Sequence, residues 1–99
     1  MINLNDYENR TIEFKIGNKT VSVKEASNNL YEKMINYEAI TDNKEAIKEQ
    51  RKLVLEQLNR NKEGIKFTTK DIEELPQAAV IRVYQEVGML TRKALENPN

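Results

Sequence analysis

Residues 68–87 read TTKDIEELPQAAVIRVYQEV, and this stretch carries two helix starts within twenty positions. Thr68 or Thr69 can cap a first turn, and Asp71, Glu73 and Glu74 crowd it, where negative charge complements the helix dipole. Pro76 has no amide proton and disfavours helical geometry at Leu75, so a short helix over 69–75 must stop there. Proline is also favoured in the first turn of a helix, so Pro76 opens a second one over about 77–95. Val80, Val83, Tyr84, Val87 and Leu90 recur along it at helical spacing, with Ala79, Ile81, Ala94 and Leu95 widening the stripe and NPN closing the chain. Two readings of the bend compete: a scanning and a recognition helix of a DNA reader, or a corner that aims an apolar-faced helix.

Working outward, Ile65 and Phe67 bracket a short extended linker that tucks two side chains into the core. The segment before it, about 44–62, places Ile47, Val54 and Leu58 in a seam flanked by Leu53 and Leu55, and stops before Gly64. Asp42 or Asn43 in the preceding TDNK turn can cap it. Its opposite face offers the pairs Glu45 with Lys48, Glu49 with Lys52 and Glu56 with Arg60, each worth only a few tenths of a kcal/mol. Upstream, Ala26, Leu30, Met34 and Tyr37, with Tyr31 and Ile35 beside them, predict a helix over about 25–40. Ser22 and Glu25 fit a capping box there, in competition with strand structure at Val23 and Lys24. Residues 11–24, TIEFKIGNKTVSVK, alternate apolar and polar around Gly17-Asn18-Lys19, which predicts a β-hairpin with one buried face. A hairpin is marginal alone and must pack on helices. The expected fold is α+β, mainly helical, in a single domain over 1–99.

Composition narrows the chemistry. The chain is 38% hydrophobic and 32% charged, with 16 basic and 16 acidic residues, so its field is weak and mixed. Nucleic acid and anionic membranes are therefore not expected partners. No stretch approaches the roughly 18 apolar residues of a membrane span. The opening MINLNDYENR has no apolar core of a signal peptide, so a cytoplasmic location is expected. With no cysteine and no histidine, disulfides, thiol or imidazole catalysis and nearly all zinc sites drop out. Gly17, Gly64 and Gly88 are too scattered for a phosphate-binding loop. Glu73 and Glu74 are accounted for by the helix dipole, and Asp71 with Asp42 does not make a calcium loop. Tyr31, Tyr37 and Tyr84 lie at or beside stripe positions and are expected to pack. No catalytic, cofactor-binding or metal-binding residue is assigned, and no enzyme is expected.

A DNA-binding regulator of winged-helix or helix-turn-helix type, using 69–92, is the alternative. Gln77, Arg82 and Gln85 would read bases, but the first helix is barely one turn long. Glu73, Glu74 and Glu86 flank the reading positions and repel phosphates.

The layout as a whole, IEFKIGNKTVSVK at 12–24, a charged helical middle, then FTTKDIEELP and VIRVYQEV, resembles the short tail assembly chaperones of long-tailed bacteriophages of Gram-positive hosts. The resemblance covers most of the chain and implies a small helical protein without catalytic residues in the host cytoplasm. It would bind the tape-measure protein, keep it soluble, help recruit tail-tube subunits and leave before the virion matures. It also implies a longer frameshifted product in which residues 96–99 are replaced. A holding chaperone needs an apolar surface that partner helices can cover. Val80, Val83, Tyr84, Val87 and Leu90 are the candidate partner-binding residues on that reading, and the domain's own core on the other. Folding has first claim on so small an apolar inventory, which favours the core. Self-association through part of the stripe would reconcile the two.

Overall fold

The structure is a computed structural model that describes residues 1–8 and 10–96. The NPN terminus, and with it nearly all of the 96–99 stretch implied to be replaceable, lies outside the described residues. After a short 3-10 helix at Leu4–Glu8, strands β1 (Thr11–Ile16) and β2 (Lys19–Lys24) form an antiparallel hairpin with Ile12 opposite Val23 and Phe14 opposite Val21. Gly17 has φ +60° and, among the described residues, none other than glycine has positive φ, so the turn takes glycine at its first central position. That geometry matches the twist of the paired strands. Among the described residues four helices follow: α1 (Asn28–Glu38), α2 (Asn43–Leu58), α3 (Thr69–Glu74) and α4 (Gln77–Glu96). The class is α+β, mainly helical.

The helix starts obey side-chain chemistry more closely than periodicity. Ser22 and Glu25 do not form the expected capping box, because Ser22 is held in β2; Ser27 caps α1 instead, accepting from the Leu30 amide at 3.2 Å. Asp42 caps α2 through the Lys44 amide at 2.9 Å. Thr68 and Asp71 close a reciprocal box on α3: the Asp71 amide donates to Thr68 Oγ1 at 3.3 Å and the Thr68 amide to Asp71 Oδ2 at 2.8 Å. Leu75 is extended at ψ 146°, as the residue before proline must be, and the Pro76 carbonyl accepts the first amides of α4 from Ala79 and Val80.

Helix α2 ends at Leu58, four residues short of its expected limit, because two asparagine side chains capture the backbone beyond it. Asn59 Nδ2 donates to the Phe67 carbonyl at 3.1 Å and its Oδ1 accepts from the Phe67 amide at 2.7 Å. Asn61 Nδ2 donates to the carbonyls of Leu58 and Ile65, both at 2.7 Å, while its Oδ1 accepts from the Ile65 amide. Gly64, at φ +73°, permits the reversal. The early stop takes Arg60 out of helical register with Glu56, so that expected pair is replaced. Glu56 binds Lys33 of α1 at 2.8 Å, and Arg60 donates to the Glu25 carbonyl. Glu49 and Lys52 pair as expected at 3.2 Å; for Glu45 and Lys48 no ion pair forms.

Two apolar clusters result. The larger joins Val21 and Val23 of β2, Val54 and Leu58 of α2, Phe67, Ile72 of α3, and Val80, Val83 and Val87 of α4. The smaller joins Leu30 and Met34 of α1 to Leu53 of α2. Ile47, expected in the α2 seam, is 42% exposed. Gly88 is buried in mid-helix, and a Cβ there would meet only Met34 Cε, at an ordinary 3.8 Å. Gly88→Ala should therefore stabilise the protein by about 0.5–1 kcal/mol, read as a higher urea midpoint at unchanged slope. Asn61→Ala should cost about 2–3 kcal/mol in the same measurement, because it strands two carbonyls and an amide in and beside the core.

Candidate functional site

The five stripe residues do not share one environment. Val80, Val83 and Val87 are 1%, 5% and 0% exposed and face the hairpin and α2, so they are core and offer no surface while the domain is folded. Tyr84 and Leu90 are half-buried. The stripe is thus mainly the domain's own, for the reason given by the small apolar inventory.

Tyr84 belongs to a polar and aromatic node that the periodicity did not reveal. Its ring meets Tyr37 edge to face at 5.1 Å between centroids, and its hydroxyl donates to Glu38 Oε1 at 3.2 Å. Burial, reinforced by the Glu38 charge, pushes the Tyr84 hydroxyl well above its ordinary pKa and keeps it a neutral donor. On the Tyr37 side, Gln50 Nε2 donates to the Tyr37 hydroxyl and Gln77 Nε2 donates to Gln50 Oε1, both at 3.0 Å. The node straps α1, α2 and α4 together.

Among the described residues, two buried oxygens have no hydrogen-bond partner: Gln57 Oε1, between the two clusters, and Glu25 Oε2, in the linker before α1. Glu25 lines two shallow hollows, one of about 310 Å³ with Tyr7, Tyr31 and Leu95, the other beside Lys24 and Arg60. Among the described residues, no three or more histidine, cysteine, aspartate or glutamate side chains converge as metal ligands. No described helix is long and apolar enough to cross a membrane.

The residues singled out for base reading are dispersed in role. Gln77 is tied to Gln50, Arg82 Nε pairs with Glu86 Oε1 at 2.9 Å, and Gln85 is exposed. Glu73 and Glu74 are exposed beside the bend. Among its charged residues the surface also displays apolar side chains: Ile35 of α1, Ile47 of α2, and Ile81, Met89 and Leu95 of α4 are 37% to 62% exposed. Sequence reasoning placed Ile35, Ile47, Ile81 and Leu95 in or beside apolar stripes and passed over Met89. Compared with protein-family models, curated proteins and solved structures, the chain gives no match.

Two exposed carboxylates have depressed pKa values for local reasons. The Ser22 amide donates to Glu63 Oε1 at 2.7 Å, and the Thr68 amide holds Asp71. A carboxyl depressed in the folded state stabilises the fold above its unfolded pKa and loses that contribution as pH falls through the folded value. Stability should thus decline as pH drops below the ordinary values of 4.5 for Glu63 and 3.8 for Asp71. Urea midpoints measured from pH 6 to about pH 3 should fall less steeply in Glu63→Gln and Asp71→Asn than in the wild type.

Proposed function

We propose that this protein is a non-catalytic binding protein of phage tail morphogenesis, a chaperone that holds the tape-measure protein in the host cytoplasm and assists tail-tube assembly. The observation that carries the reading is the amount of surface left uncovered. The molecule exposes 7093 Å², whereas a folded monomer of 11.5 kDa exposes about 5,800 Å². Its extents of 46 × 34 × 17 Å describe a flat body, and its radius of gyration of 13.8 Å exceeds the ~12.6 Å of an average domain this long. A flat body has two broad faces and a thin core, and apolar side chains on three of its helices stand in water.

Such a surface suits a client whose amphipathic helices need temporary cover. Contacts made by isolated isoleucines and methionines on a body of balanced charge are weak singly and release readily. The layout of hairpin, charged middle and capped corner leading to an apolar-striped helix supports the same assignment by resemblance.

Co-expression with a tape-measure fragment tests the proposal. The fragment should become soluble and co-purify; unchanged solubility with no complex would show the assignment to be wrong. Ile81→Ser with Met89→Ser should leave the circular dichroism spectrum and urea midpoint nearly unchanged, within about 0.5 kcal/mol, yet lower the yield of complex. Val83→Asp should instead unfold the protein, because it buries an unpaired charge.

A further inference from the structure

The two edges of the hairpin are treated differently. On β2 the backbone groups that point away from β1 are those of Thr20, Ser22 and Lys24, and the 60–63 segment engages the last two. The Lys24 amide donates to the Arg60 carbonyl at 3.0 Å, the Lys62 amide to the Ser22 carbonyl at 2.9 Å, and the Ser22 amide to Glu63. Pairing directions alternate along an antiparallel ladder, so the residues opposite these on β1 also point outward. The register makes them Thr11 and Glu13, with Lys15 next in the series. Among the described residues no hydrogen bond reaches the outward amides and carbonyls of Thr11, Glu13 and Lys15. Burial tells the same story. Val21 and Val23 are wholly buried, whereas Phe14 and Ile12 opposite them are half-buried, and Glu13 and Lys15 are exposed.

We propose that β1 is a homodimerisation edge, pairing antiparallel with β1 of a second copy about a two-fold axis at Phe14. Outward residues must pair with outward residues for the ladder to form, which leaves four registers centred on Ile12, Glu13, Phe14 or Lys15. One sets Glu13 against the partner's Glu13, and one sets Lys15 against the partner's Lys15; like charges directly opposite are destabilising. The third sets Glu13 against the partner's Lys15 twice over, with Phe14 on the partner's Phe14 and Ile12 beside the partner's Ile16 along the core face. The fourth, centred on Ile12, keeps as many hydrogen bonds but sets Glu13 against the partner's neutral Thr11 and forms no charge pair. Charges on an open edge repel arbitrary strands, and here they leave one self-register favoured. The pairing makes a continuous four-stranded sheet with about four new backbone hydrogen bonds around the axis. An interface this small gives a reversible dimer in the micromolar range.

Sedimentation of the full chain over about 10–300 µM at low ionic strength tests this, since exposed charge pairs weaken with salt. The wild type should dimerise reversibly. Lys15→Glu and Glu13→Lys should each weaken association about tenfold or more, because each turns two attractions into two repulsions. The double variant Glu13→Lys with Lys15→Glu should restore the wild-type constant to within about threefold, since it rebuilds both pairs. Within the hairpin these residues face neutral Ser22 and Thr20, so the exchange leaves the monomer's own pairing intact. Amide exchange at Thr11, Glu13 and Lys15 should slow as concentration rises. A wild type monomeric at 300 µM overturns the proposal. So does a dimer insensitive to the single substitutions, a double variant that is not restored, or outward amides whose exchange ignores concentration. Binding of a foreign extended peptide at this edge by a chain that remains monomeric would equally overturn it.

Discussion

Helix α2 is the constraint on which the remainder depends, because α1, α3, α4 and β2 all pack against it. One helix of sixteen residues must serve neighbours on most of its circumference with few apolar side chains. Val54 and Leu58 supply the large cluster and Leu53 the small one, and the ground between is filled by Gln50 and Gln57. Gln50 is satisfied through Tyr37 and Gln77, so it links helices as well as filling space. Gln57 is wholly buried with a carbonyl oxygen unpartnered and only the Met34 sulfur, at 3.8 Å, near its amide. A buried amide so poorly matched weakens the contact between α1 and α2, since its desolvation is not offset.

A hub with little apolar material yields a thin body, and the thin body shapes what the surface can do. The larger cluster takes Val80, Val83 and Val87, so the most apolar stripe in the sequence is used up in folding. What is left for contact is scattered on α1, α2 and α4 and along the open side of β1. Contacts drawn from such elements are individually weak.

The loop from Asn59 to Phe67 shows how polar side chains do structural work that a larger core would do elsewhere. Asn59 and Asn61 stop α2, aim Phe67 into the core and bring residues 60–63 alongside β2. Covering one edge of the hairpin fixes the position of Val21 and Val23 beneath it. The same act leaves the opposite edge as the place where backbone hydrogen-bonding capacity remains.

The sequence by itself determined the hairpin, the helix order, and the corner at Pro76. Alternation with period two, the missing proline amide and caps such as Asp42 and Thr68 are local physics, settled within a few residues of chain. It also led to the larger core, because Val54, Leu58, Val80, Val83 and Val87 repeat at helical spacing. Three things were decided only by tertiary structure. Ser27 rather than Ser22 caps α1, because Ser22 is held in β2 between Glu13 of β1 and Glu63 of the 60–63 segment. The early end of α2 depended on Asn59 finding Phe67 and Asn61 finding Ile65, contacts a helical pattern cannot foresee. And which apolar residues stay in water, Ile47 and Ile81 but not Val54 or Val83, followed from where neighbouring helices ran out of surface to cover them. Periodicity says that a face is apolar; only packing says whether anything is there to meet it.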